Sequence, residues 1–149
     1  MLMWLNDAKF LLIPLIASGL VQYLFKMEYT RGLMLQPPSY IFGIIWPILY
    51  ILYGLYMQRI QTMSKTEPYH VWIFWMWSIH LLINVSWSPL VFTYKQYTYG
   101  VYLIVMLIGS LIALMACTKN AATKLLLVPY ITWLLLALQL NIELVRNQL

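Results

Sequence analysis

Two polar residues interrupt an apolar stretch, and their spacing defines the chemistry open to them. His80 and Asn84 stand four apart in HVWIFWMWSIHLLINVSWSPLVF (70–92), a run without Asp, Glu, Lys or Arg. On a helix they share one face, which Trp77, Trp87 and Val91 extend in steps of three or four. An imidazole can donate or accept a hydrogen bond, or bind axially to the metal of a bound tetrapyrrole; a carboxamide brings two donors and an acceptor. Trp72, Trp75, Trp77 and Trp87 place four of the 7 tryptophans on the same run. A polar pair flanked by indoles inside an apolar helix suggests a pocket between helices. For His80 two readings are open: a neutral imidazole bonded to a neighbouring helix, or a contact to a ligand. Asn84 and Asn141 either satisfy one another across a bundle or orient a guest, since an unmatched polar group in lipid costs several kcal/mol.

Other chemistries lack their residues. The sequence has no G-x-S-x-G, no H-E-x-x-H and no phosphate-binding glycine loop. Its four acids are Asp7, Glu28, Glu67 and Glu143, in terminal or loop segments or near the end of the last helix. A proton-coupled transporter usually needs a carboxylate well inside the bilayer, and none of these qualifies. Cys117 is the only cysteine, which excludes an intrachain disulfide and a multi-cysteine metal site.

The elements that must hold these side chains follow from composition. Of 149 residues, 63% are hydrophobic and 9% charged, against about 25% charged in an ordinary soluble domain. Lipid must therefore be the main solvent. The net charge of +5 comes from basic residues standing singly between apolar blocks, as membrane anchors do, so no nucleic-acid partner is expected. Charged residues are absent from 10–25, 32–58, 68–94, 96–118 and 125–142, and a helix needs roughly 20 largely apolar residues to cross the hydrocarbon. Five blocks of that length predict an all-α membrane protein, a single domain over 1–149. Its five transmembrane helices are expected near 8–26, 40–58, 70–92, 97–117 and 123–145. No A-x-A pattern follows the first run, which is expected to remain as a helix. Lys9, Arg59, Lys65, Lys119 and Lys124 fall on one side, and Lys26, Arg31, Lys95 and Arg146 on the other; five against four does not set the orientation. Pro14, Pro47, Pro89 and Pro129 fall within four of the helices, where each removes a backbone hydrogen bond. Gly109, Ala113 and Ala116 form a small-residue ridge expected at a helix–helix interface, within the bundle or between subunits.

Deeper aromatic residues complete the pattern. Trp46 shares a face with Phe42, Tyr50 and Tyr53, and Trp133 with Tyr130, Ala137 and Asn141. Such stripes serve packing more often than binding, yet two deep indoles beside small and amide residues suit a flat apolar guest.

Three segments resemble one family. PPSYIFGIIWPILY (37–50) is similar to the Pro-Pro-x-Trp-x-Phe-x-x-x-Trp-x-x-Leu-Tyr signature of the TspO/translocator-protein family, also called tryptophan-rich sensory or peripheral-benzodiazepine-receptor-like proteins. NVSWSPLVF (84–92) resembles its Asn-x-x-Trp-x-Pro-x-x-Phe segment, and VPYITWLLLALQLN (128–141) its Pro-Tyr-x-x-Trp-x-x-x-Ala-x-x-Leu-Asn segment. The resemblance implies a five-helix bundle, commonly a homodimer, whose pocket takes porphyrin or haem-like ligands, sterols or drug-like molecules and requires no cofactor. It implies Tyr40, Trp46, Asn84, Trp87, Trp133, Ala137 and Asn141 as ligand-binding residues, with Tyr40 where a tryptophan is usual. It further implies a stress, tetrapyrrole-regulation or transport role. Light-driven porphyrin degradation through Trp46 and Trp133 is the enzymatic alternative, and a membrane scaffold with a vestigial pocket is another. The chain departs from the family pattern in EYTRGLMLQ (28–36), in His80 where an amide is usual, and in Val145 where a tryptophan is common. LNIELVR (140–146) lacks the tyrosine of the proposed sterol pattern, which favours tetrapyrroles over sterols.

Overall fold

Every regular element is helical in the computed structural model, which describes residues 2–25 and 36–148, with side chains for 8–25 and 36–147. The order is α1 (Leu2–Leu24), α2 (Ser39–Thr62), α3 (His70–Ser88) continued by a π-helical turn (Pro89–Thr93), α4 (Tyr97–Cys117), a short α5 (Ala121–Leu125) and α6 (Val128–Gln148). Most of 28–36, the segment that departs from the family pattern, lies outside the described residues.

Three helical stretches among the described residues are long and apolar enough to cross a membrane: Ser39–Thr62, Tyr97–Cys117 and Ala121–Asn147, with Ala8–Leu24 as a shorter apolar helix. α3 falls short on apolarity because its histidine, asparagine and serines dilute the aliphatic residues. Its burial pattern nevertheless suits lipid. His80 and Asn84 are 0% and 2% exposed, whereas Trp72 and Leu82 on the outer face are 70% and 66% exposed. A helix with its polar residues inside and its aliphatic and indole side chains outside belongs in a bilayer. With the remaining helices also presenting large aliphatic residues outward, the molecule is an integral multi-pass bundle.

Packing sets where the helices can meet. α1 lies chiefly on α2, α4 on α6, and α3 on α4. The α1–α2 crossing is made at Gly54, where an added Cβ would overlap the Phe10 carbonyl and stand 2.7 Å from Leu11 Cα. Gly100 plays the same part between α4 and α6, its virtual Cβ 2.8 Å from Asn141 Nδ2. Phe10 then reaches into the bundle, edge-on to Trp77 at 5.9 Å between ring centres.

Prolines shape two of the helix ends. Pro89 has no N–H to continue α3, and the chain widens into the π turn, with Tyr94 N–H donating to Pro89 O at 3.0 Å. The turn aims Phe92 edge-on at Trp87, 5.4 Å between centres. Pro129 does not kink the middle of a helix. It lies in the first turn of α6, where a missing N–H is harmless. The segment expected as one helix over 123–145 is interrupted at 126–127, where Leu126 and Leu127 donate to Thr123 O and Lys124 O in tighter, three-residue turns. The Gly109–Ala116 ridge also sits outside the bundle: both end residues are exposed, and nothing lies within 4 Å of a Cβ built on Gly109.

The loop after α2 is anchored by a carboxyl group that the bundle buries. Glu67 is 2% exposed, and its two carboxylate oxygens accept from Lys119 N and Asn120 N, each at 2.9 Å. Asn120 in turn caps α5 by accepting from Thr123 N at 2.9 Å. Beside them Tyr56 and Thr118 share a hydrogen bond of 2.7 Å, so the α2–α3 and α4–α5 connections form one unit.

Candidate functional site: an aromatic cleft backed by a buried polar chain

The face defined by Trp77, His80, Asn84, Trp87 and Val91 is wholly buried, and its polar members find partners on three other helices. Tyr50 on α2 donates to Asn84 Oδ1 at 2.7 Å. Asn84 Nδ2 donates to the Tyr130 hydroxyl of α6 at 2.6 Å. That hydroxyl lies 3.0 Å from His80 Nε2, and His80 Nδ1 lies 2.6 Å from Ser110 Oγ on α4. Ser110 donates to Leu107 O at 2.8 Å.

Counting protons gives the chain a direction. The Tyr130 oxygen already accepts from Asn84, so its single proton goes to His80 Nε2. His80 is then the neutral tautomer with its proton on Nδ1, donating to Ser110. Five side chains on four helices are satisfied in sequence, which is the condition for burying them in a membrane protein. Tyr53 lies beside the chain, tilted against the His80 ring at 5.1 Å and stacked on Trp77 at 5.3 Å, and its hydroxyl and backbone carbonyl exchange bonds with Trp77 O and Nε1 at 2.9 and 3.1 Å.

In front of this chain is a cleft lined by Ser18 and Gln22 of α1, Phe42, Trp46 and Tyr50 of α2, and Val85, Trp87, Ser88 and Phe92 around the end of α3. Trp46 is its centre. It stacks on Tyr50 at 5.4 Å and stands edge-on to Tyr130 at 6.3 Å and to Trp133 at 6.4 Å. Trp87 is tilted against it at 6.5 Å. The cleft's free volume is about 20 Å³, room for a water or two, whereas sites for drug-sized ligands run to about 300–1,000 Å³.

Of the residues singled out in the sequence, Trp46 and Trp87 line the cleft directly. Trp133 adjoins it through Trp46 and through Phe42, 5.5 Å away edge-on, and its Nε1 is buried without a hydrogen-bond partner among the described residues. Asn84 stands behind Tyr50. Asn141 accepts from Trp87 Nε1 at 2.9 Å and donates to Tyr97 O at 3.3 Å, so the two asparagines satisfy other groups and not each other. Ala137 is buried at 5%. Tyr40 is 67% exposed at the start of α2, apart from the cleft lining. Both His80 nitrogens are occupied, so an axial bond to a metal would cost one of them its partner.

Sequence reasoning did not select Tyr50, Tyr130, Ser110 or the α1 pair Ser18 and Gln22. The tyrosines carried a usable signal, since each lies on the face of a selected tryptophan. Ser18 and Gln22 also stand four apart, a polar pair in an apolar helix. Ser110 carried none.

Among the described residues, five long helical stretches (α5 and α6 counting as one), an aromatic cleft centred on Trp46 and a buried asparagine on each of α3 and α6 define a tryptophan-rich membrane bundle. The chain matches the TspO/MBR family over residues 10–146 and belongs to it. Among its relatives are Protein CrtK of Rhodobacter capsulatus, 26% identical over 112 residues that cover 74% of this chain and 70% of the relative. Another is the tryptophan-rich protein TspO of Chlorobaculum tepidum, 30% identical over 116 residues, 74% of this chain and 72% of the relative.

Proposed function

We propose that this TspO-family membrane protein binds a flat, largely apolar ligand of the porphyrin or haem class between α1, α2 and α3, with sterol or drug-like molecules as weaker guests. The observation that carries the reading is the Trp46 box with Trp133 Nε1 beside it, which has no hydrogen-bond partner among the described residues. A buried indole N–H without an acceptor is uncommon in native structures and suits a carbonyl or carboxylate on a guest. Indole and phenyl faces would supply most of the affinity. In this reading His80 supports the site from behind as part of the chain ending at Tyr50, and the occupation of both its nitrogens favours metal-free porphyrin over iron ligation. A role in tetrapyrrole regulation, stress response or transport rests on the same binding step, and a homodimer is the expected assembly.

Titrating the detergent-solubilised protein with protoporphyrin IX and following the porphyrin absorption band tests this. A saturable shift, weakened at least tenfold by Trp46→Ala, is expected; a shift that the double variant Trp46→Ala, Trp133→Ala leaves unchanged refutes the site. The edge contact between Trp46 and Trp133 also supports the photochemical alternative, in which two adjacent indoles act as redox partners. That alternative requires bleaching under illumination faster than for free porphyrin in detergent, and dependent on both tryptophans. The filled space between Trp46, Asn84 and Trp133 favours the scaffold reading, which requires no saturable binding by any of these guests.

A further inference from the structure

A second concavity lies at the opposite end of α2 from Pro37 and Pro38. It is an open groove of about 470 Å³ between the last turns of α2 and the start of α5, within the range of small-molecule sites and far larger than the aromatic cleft. Its two walls come from two helices. Leu55, Gln58, Arg59, Thr62 and Met63 line it from α2, and Asn120, Ala122 and Thr123 from the start of α5, the Thr123 hydroxyl being already donated to Asn120 Oδ1 at 3.0 Å.

The position of the groove follows from where α2 leaves the apolar region. No charged residue occurs from 32 to 58, and Arg59 is the first. Leu55, one turn earlier, is therefore at acyl-chain depth, and Arg59 stands where lipid headgroups begin. The groove thus runs across the boundary between hydrocarbon and water.

The electrostatics of this end have one sign. Arg59, Lys65, Lys119 and Lys124 all come from the α2–α3 and α4–α5 connections or the turns flanking them, and Lys9 stands near this end of α1. The acids at this end are Asp7 and Glu67, and both Glu67 oxygens are already used in holding Lys119 N and Asn120 N. Five bases against two acids leave a positive field at headgroup level, with Arg59 exposed in the groove and flanked on its own helix face by Leu55 and Met63, one turn to either side. A guanidinium binds phosphate in a forked geometry.

We propose that this groove is a binding site for an anionic glycerophospholipid, its phosphate on Arg59 and an acyl chain along Leu55 and Ala122. The site is independent of the aromatic cleft. Native mass spectrometry of the purified protein, with phosphatidylglycerol and phosphatidylcholine of identical acyl chains, provides the test. Phosphatidylglycerol should be retained about fivefold or more in preference, the factor for one basic residue near an anionic surface. Arg59→Gln should bring the two lipids level, and Ala122→Trp, which fills the groove from an exposed position, should weaken both. Lys95→Gln, at the other end of the bundle, should keep the preference. Equal retention of both lipids by the wild type, or a preference untouched by Arg59→Gln, overturns the proposal. So does full displacement of phosphatidylglycerol by millimolar glycerol 3-phosphate, which would make the site a reader of free phosphate. Unchanged melting of each variant confirms that the fold is intact.

Discussion

Replacing His80 by phenylalanine puts the buried chain to its sharpest test. The phenyl ring keeps the planar shape between Tyr53 and Tyr130, whose ring centres stand 5.1 and 5.3 Å from the imidazole, so packing changes little. Two hydrogen bonds vanish, however, at 3.0 and 2.6 Å. Ser110 retains its bond to Leu107 O. The Tyr130 hydroxyl, on a side chain 1% exposed, loses its acceptor. An interhelical hydrogen bond in a membrane protein averages about 0.6 kcal/mol and reaches about 1.7, and a stranded buried donor adds about 1–3 kcal/mol. The sum for His80→Phe is about 2–4 kcal/mol, or roughly 4–16 °C in Tm for a chain of this size. His80→Gln restores a donor and an acceptor and should recover about half of the loss. Thermal unfolding in detergent, followed by tryptophan fluorescence, measures both. The accompanying 15N spectrum should show His80 neutral with its proton on Nδ1. Should His80→Phe melt within 1 °C of the wild type, or the proton reside on Nε2, the directional chain is wrong.

Other positions give independent expectations. Gly54→Leu drives a side chain into the α1 backbone at Phe10 and Leu11 and should cost about 3 kcal/mol or prevent folding, read as lost monodisperse yield. Glu67→Ala strands two backbone N–H groups at the α4–α5 connection; about 2–3 kcal/mol of destabilisation is expected by unfolding, with Glu67→Gln milder because one oxygen remains. Asn141→Leu deprives Trp87 Nε1 of its acceptor and crowds Gly100, lowering Tm by several degrees, whereas Tyr40→Ala at its exposed site should change Tm by less than about 2 °C. Porphyrin titration of Trp133→Phe, which removes the orphan donor and keeps much of the aromatic surface, should show weakening of about tenfold for a guest bearing carboxylates and less for its diester.

The sequence by itself determined the solvent, the helices and the family. Uncharged blocks of membrane length fixed how many spans the chain has because a lipid-embedded backbone has few alternatives to a helix, and the motif segments carried the family. Helical periodicity was enough to place Trp77, His80, Asn84 and Trp87 on one face, since i, i+3 and i+4 positions must share it. Periodicity does not say what that face meets. His80 could equally have faced a guest; the rotation of α3 against α4 and α6 brought Ser110 and Tyr130 to its two nitrogens. The asparagines were legible as polar residues in need of partners, but partner choice depends on helix height and tilt, which paired Asn84 with Tyr50 and Tyr130 and Asn141 with Trp87. The missing N–H of Pro129 was visible in the sequence, yet only packing decided that the chain would answer with a break at 126–127 instead of a kink. Closure of the aromatic cleft, the stranded Trp133 N–H and the outward position of Tyr40 likewise belong to tertiary structure, because each depends on side-chain directions from helices far apart in the chain.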